Sequence, residues 1–158
     1  MIPEAPFLFS IAGLSASLGG LSGLVAGLRR GTDMRAIDLF RLREIVEFSF
    51  ANAVLALATI PLALMLGSTA DGARLVAVSA IVYMCFHFLL LFRRSRQLKV
   101  TSGRAGDLLV VLLFLATLGA AAWTVATGNI GVFEALLIML LVRPMLAFLF
   151  VVASFETS

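Results

Sequence analysis

Five stretches of this 158-residue chain, at 7–28, 45–66, 75–92, 108–127 and 132–153, are almost wholly apolar. Each holds about 18 to 22 residues, which as a helix rising about 1.5 Å per residue matches the roughly 30 Å hydrocarbon core of a bilayer. A soluble core cannot absorb five such runs. Hydrophobic residues make up 61% of the chain and charged ones 13%, against about 45–50% and about 25% in soluble domains. The expected fold class is therefore all-α, a polytopic bundle of five transmembrane helices forming one integral membrane domain over 1–158. Strands are excluded because lipid cannot satisfy open backbone groups, and no alternating barrel pattern is present.

Basic residues orient the bundle. Arg29, Arg30, Arg35, Arg41 and Arg43 lie between the first two apolar runs, and Arg93, Arg94, Arg96, Lys99 and Arg104 between the third and fourth. The opposite connections, GSTADGAR and TGNIG, carry only Arg74. The positive-inside rule then places the N-terminus outside and the C-terminus in the cytoplasm, in the cytoplasmic-type inner membrane if the cell is bacterial. The same rule explains the net charge of +3, so no nucleic-acid partner is needed. The leader MIPEAP holds Glu4 and no basic residue, and the positive charge follows the first run, so that run is expected to be a retained anchor and not a signal peptide.

The first basic connection, RRGTDMRAIDLFRLRE, is expected to contain a juxtamembrane amphipathic helix capped by Thr32 or Asp33. Ile37, Phe40 and Ile45 recur along it near helical spacing, and its arginines would attract anionic headgroups. A short echo, LALATI at 55–60 and LFLATL at 113–118, hints at tandem hairpins but is composed of residues that any apolar helix uses.

Span one carries a register of small residues. Ser15, Gly19, Gly23 and Gly27 recur every four positions, beside Ala12, Ala16 and Gly20. Glycine at this spacing lets another backbone approach closely, so the row is expected to be a helix-packing face, within the chain or in a homo-oligomer.

Polar residues inside the spans mark the candidate functional layer, because each is costly in hydrocarbon. Counted from the outer helix ends, Arg143 lies about 17 Å deep, His87 about 18 Å and Asn52 about 21 Å. Arg143 stays protonated and must face protein or water. Glu134, nine residues away, is on the opposite face of its helix, so the expected carboxylate is Glu47 or one from a neighbouring subunit. Pro144 and Pro61 should kink their helices, freeing the carbonyls of Leu140 and Leu57. His87 is a potential proton-responsive group. Cys85, the single cysteine, diverges from it by about 200° and forms no local metal pair.

Glu44 and Glu47 sit one turn apart and could hold a cation, although Arg41 and Arg43 favour ion pairing. Asp107 and Glu134 are expected to begin helices, where a carboxylate complements the dipole. Phenylalanines such as Phe48, Phe86 and Phe92 read as packing or lipid-facing.

No nucleophile and base pairing, phosphate-cradling loop or metal-ligand cluster is evident, so no catalytic residue, metal or cofactor is expected. Five spans in so short a chain resemble the translocator-protein fold in number alone; the single tryptophan and missing aromatic motifs set the chain apart. The leading expectation is a small homo-oligomeric channel or transporter, anion-preferring if Arg143 rings an axis. The alternative is a non-catalytic structural or interaction subunit that docks another membrane protein.

Overall fold

The computed structural model describes residues 2–28, 36–98 and 104–156. Every element among them is a helix: α1 (Ala5–Leu28), α2 (Ala36–Leu66), α3 (Thr69–Leu98), α4 (Arg104–Thr127) and α5 (Ile130–Glu156). Four stretches are long and apolar enough to cross a membrane: Ala5–Leu28, Leu39–Leu66, Thr69–Leu90 and Ile130–Val152. In α4 the described part of the apolar stretch, Val111–Thr127, continues the apolar residues 108–110 of the sequence. The expected caps Thr32 and Asp33, together with Arg29, Arg30, Arg35 and Lys99, lie outside the described residues. So do the side chains of Ile37, Phe92, Arg94, Arg96, Arg104 and Asp107.

The juxtamembrane helix expected before span two is not a separate element, because α2 runs unbroken from Ala36 to Leu66. No glycine or proline interrupts it before Pro61, so nothing in the backbone makes it stop and turn. The expected outer loop over 67–74 is also mostly helix. Gly67 adopts φ 68° and Ser68 N–H bonds back to Ala63 C=O at 3.1 Å, a Schellman end that closes α2. Ser68 Oγ then accepts Asp71 N–H at 3.3 Å, capping α3.

The α4–α5 connection reuses this chemistry. Gly128, also at φ 68°, donates its N–H to Thr124 C=O at 2.7 Å, and Asn129 Oδ1 accepts Val132 N–H at 3.2 Å. Asn129 therefore caps α5. Glu134, expected at the helix start, sits beyond the first turn, since α5 begins at Ile130. The two hairpins share a left-handed glycine without sharing the sequence echo: LALATI starts twelve residues before Gly67 and LFLATL fifteen before Gly128.

The chain divides into two compact units. One comprises α1, α2 as far as Leu57 and α5 from Leu140. Its core joins Leu42 and Ile45 of α2 to Val151 of α5, with Leu18 and Val25 of α1 packed against them. The other comprises α2 from Ala58, α3, α4 and α5 as far as Met139. There Ala73, Val76, Ala77, Ala80 and Met84 form a buried stripe on α3, spaced as one helix face requires. Phe88 of α3 stacks on Phe114 of α4 with ring centroids 4.9 Å apart. A Cβ placed on Gly72 would lie 2.9 Å from the Ala63 backbone nitrogen, so glycine is what admits α3 against α2.

Candidate functional site

Several polar residues within the helices are satisfied in one of two ways. Hydroxyls bond back into their own helix: Ser22 to Leu18 C=O at 2.8 Å, Thr117 to Leu113 C=O at 2.6 Å and Thr124 to Ala120 C=O at 2.9 Å. This i−4 bond lets a hydroxyl enter a span without water or a partner helix.

Asn52 is too polar for that solution and uses a neighbour. It is 1% exposed, and its Nδ2 donates to Ser15 Oγ at 3.0 Å. Ser15 thus accepts an interhelical hydrogen bond in addition to its place in the small-residue register. Beside it, a Cβ on Gly19 would meet the Phe50 ring at 3.2 Å and Ser49 Cβ at 3.3 Å. The absence of a side chain at Gly19 is what lets α1 close on α2 around the Asn52–Ser15 bond.

Arg143 is partly buried, with its guanidinium carbon 4.2 Å from the centroid of the Phe48 ring. Arg143, Pro144 and Ala147 of α5 border a cavity of about 20 Å³ with Glu44, Ile45 and Phe48 of α2. Such a cavity has room for about one water. Insertion of an arginine at a helix centre costs about 2.5–3.5 kcal/mol, and a desolvated cation–π contact returns about 2 kcal/mol. The ring alone does not close that difference. Glu44 borders the same cavity. Phe48 reads in the sequence as packing, and only the crossing of α5 over α2 makes it a cation platform.

Glu47 forms an i,i+4 ion pair with Arg43, with Nε donating to Oε1 at 2.7 Å. That places Glu47 in the ion pairing that the neighbouring arginines suggest. His87 is 4% exposed and belongs to the other unit, its ring centroid 5.6 Å from that of Tyr83 one turn earlier. Cys85, two residues away, is exposed. Pro61 lies inside α2 and Pro144 inside α5. Among the described residues no three His, Cys, Asp or Glu side chains come together as a metal-ligand set.

The small-residue register of α1 divides along the helix. Ser15 and Gly19 are buried, whereas Gly23 and Gly27 are exposed, and a Cβ at either would meet nothing within 4 Å. A four-residue step overshoots the helical turn by about 40°, so the row winds off the α2 contact as it proceeds. A second row stays outward for its whole length. Gly13, Ala16, Gly20, Gly23 and Gly27 alternate steps of three and four and are all exposed. Such a heptad path drifts only about 20° every seven residues.

Near the start of α3, Arg74 donates Nη1–H to Asp71 Oδ1 at 2.8 Å. Its guanidinium lies against the α4–α5 turn, where a Cβ on Gly128 would be 3.0 Å from Arg74 Nε. No protein-family model, curated protein or solved structure matches the chain.

Proposed function

We propose that this chain is a multi-pass integral membrane protein acting as a non-catalytic interaction subunit, which pairs through the outward face of α1 with a second copy or with another membrane protein. Its five helices cross the bilayer with the N-terminus outside and the C-terminus in the cytoplasm, held there by the arginine-rich connections. The apolar exterior supports the membrane placement: Phe9, Leu64, Met65, Phe86, Trp123 and Leu149 are each more than half exposed. Lipid is the solvent that makes such a surface favourable.

One observation carries the interaction reading. The polar residues deep in the helices turn inward and act as glue, Asn52 on Ser15 and Arg143 on Phe48, while the small residues at 13, 16, 20, 23 and 27 face outward. Helices in lipid associate by close packing, and small residues are the surface that permits it. The conducting reading draws on the same polar residues, as a layer of Arg143, His87, Asn52 and Glu47 along an oligomer axis. It ranks second because Asn52 and His87 are buried within the chain and would have to leave their surroundings to line such an axis.

Replacing Gly20 and Gly23 together by leucine separates the two. The expected outcome is loss of the oligomer or partner in crosslinking, with the monomer's melting temperature in detergent unchanged. Anion flux in proteoliposomes that disappears with Arg143→Gln while crosslinking stays intact would instead select conduction.

A further inference from the structure

Among the described helices, α2 and α5 are shared between the two compact units. α1 belongs wholly to the first and α3 and α4 wholly to the second, while α2 changes unit between Leu57 and Ala58 and α5 between Met139 and Leu140. Apart from the step between Pro3 and Glu4, ahead of α1, these are the chain's only crossings.

Each shared helix crosses where its own backbone ladder is broken. Proline has no amide hydrogen, so Pro61 leaves the carbonyl of Leu57 without its bond from four residues on, and Pro144 does the same to Leu140. Leu57 and Leu140 are the first unit's boundary residues on α2 and α5. The two breaks also share a level. Leu57 lies nine residues before the α2 end at Leu66, and Leu140 ten after the α5 start at Ile130. At about 1.5 Å per residue these are depths of about 14 Å and about 15 Å. Leu66 and Ile130 both belong to the second unit, and the contact of Arg74 with Gly128 puts their turns at one end of it. Bonds missing at one level let two helices bend together, whereas a break at any other level would be braced by the intact neighbour.

On either side of the breaks the helices are fastened to their own unit. The Asn52–Ser15 bond and the Arg143–Phe48 contact lie within the first, and the Gly72–Ala63 approach and the Phe88–Phe114 stack within the second. We infer that the segments 57–61 and 140–144 form one hinge, about which the unit holding α1 and the unit holding α3 and α4 move as two bodies. The hinge does not depend on what pairs with α1.

The test uses the full chain in lipid nanodiscs, in a Cys85→Ala background, with spin labels on introduced cysteines and distance distributions read by pulsed electron resonance. Dilution with unlabelled chain restricts the reading to distances within one molecule. One pair crosses the hinge, Met65→Cys in the second unit with Leu149→Cys in the first; the control pair, Met65→Cys with Leu89→Cys, stays within the second. All three positions are exposed, so the labels leave the cores intact. The crossing pair should give a broader distribution than the control. Pro61→Ala with Pro144→Ala returns both amides and should narrow the crossing distribution to the control's width, leaving the control unmoved. Pro61 is exposed whereas Pro144 is buried, so Pro61→Ala alone, its folding verified by melting temperature, should narrow the crossing distribution part-way. A crossing pair as narrow as the control in the proline-bearing chain overturns the hinge, and so does a width that Pro61→Ala leaves unchanged.

Discussion

Gly72 and Gly119 are both helical glycines, and the structure assigns them opposite roles. Gly72 faces the Ala63 backbone at 2.9 Å, whereas a Cβ on Gly119 would meet nothing within 4 Å. Gly72→Ala should therefore cost about 1–3 kcal/mol, because backbone cannot yield as a side chain does. Gly119→Ala should be neutral or stabilise by up to about 1 kcal/mol through helix propensity. Thermal unfolding in detergent distinguishes them, and equal effects would mean that α3 does not approach α2 so closely. Asn52→Ala should cost about 0.6 kcal/mol and at most about 1.7 kcal/mol, the range for hydrogen bonds between helices in lipid. Ser15→Ala should add little in the Asn52→Ala background, since one bond joins the pair. Nothing in the sequence distinguishes Gly72 from a loop glycine, because its need arises from a helix 9 residues earlier in the chain, at Ala63.

At the scale of elements, the two hairpin turns depend on glycines in the left-handed region, both at φ 68°. Gly128→Ala should cost about 1–2 kcal/mol from backbone strain alone, plus a packing penalty from the Arg74 guanidinium at 3.0 Å. In an Arg74→Ala background the packing part should vanish and the strain remain. A double-mutant cycle by thermal unfolding measures that difference. Helix content and the four long apolar stretches were legible in the sequence because period, length and apolarity are local properties. Helix ends were less so. The stretch GSTADGAR contains turn residues and charges and reads as a loop, yet Ser68 capping lets α3 start at Thr69. Asn52, His87 and Arg143 were legible as costly positions, but the partners of Asn52 and Arg143 were not. That Arg143 rests on Phe48, and Asn52 on Ser15, depends on which helix faces cross, which no single segment encodes.

For the whole molecule, the membrane reading makes a directional prediction. In a Cys85→Ala background, Gly131→Cys should react with an impermeant maleimide added from outside the cell, and Arg96→Cys only after permeabilisation. The reverse pattern would invert the proposed topology. The hairpin turns carry a further consequence. Only Gly67 and Ser68 separate α2 from α3, and only Gly128 and Asn129 separate α4 from α5. A water-soluble effector arriving at these connections would find almost no protruding surface to grip. In the proposed membrane placement, a partner that reads these hairpins would do so laterally, by the fit of helix flanks among acyl chains, where diffusion is two-dimensional and a single added methyl group can decide the match.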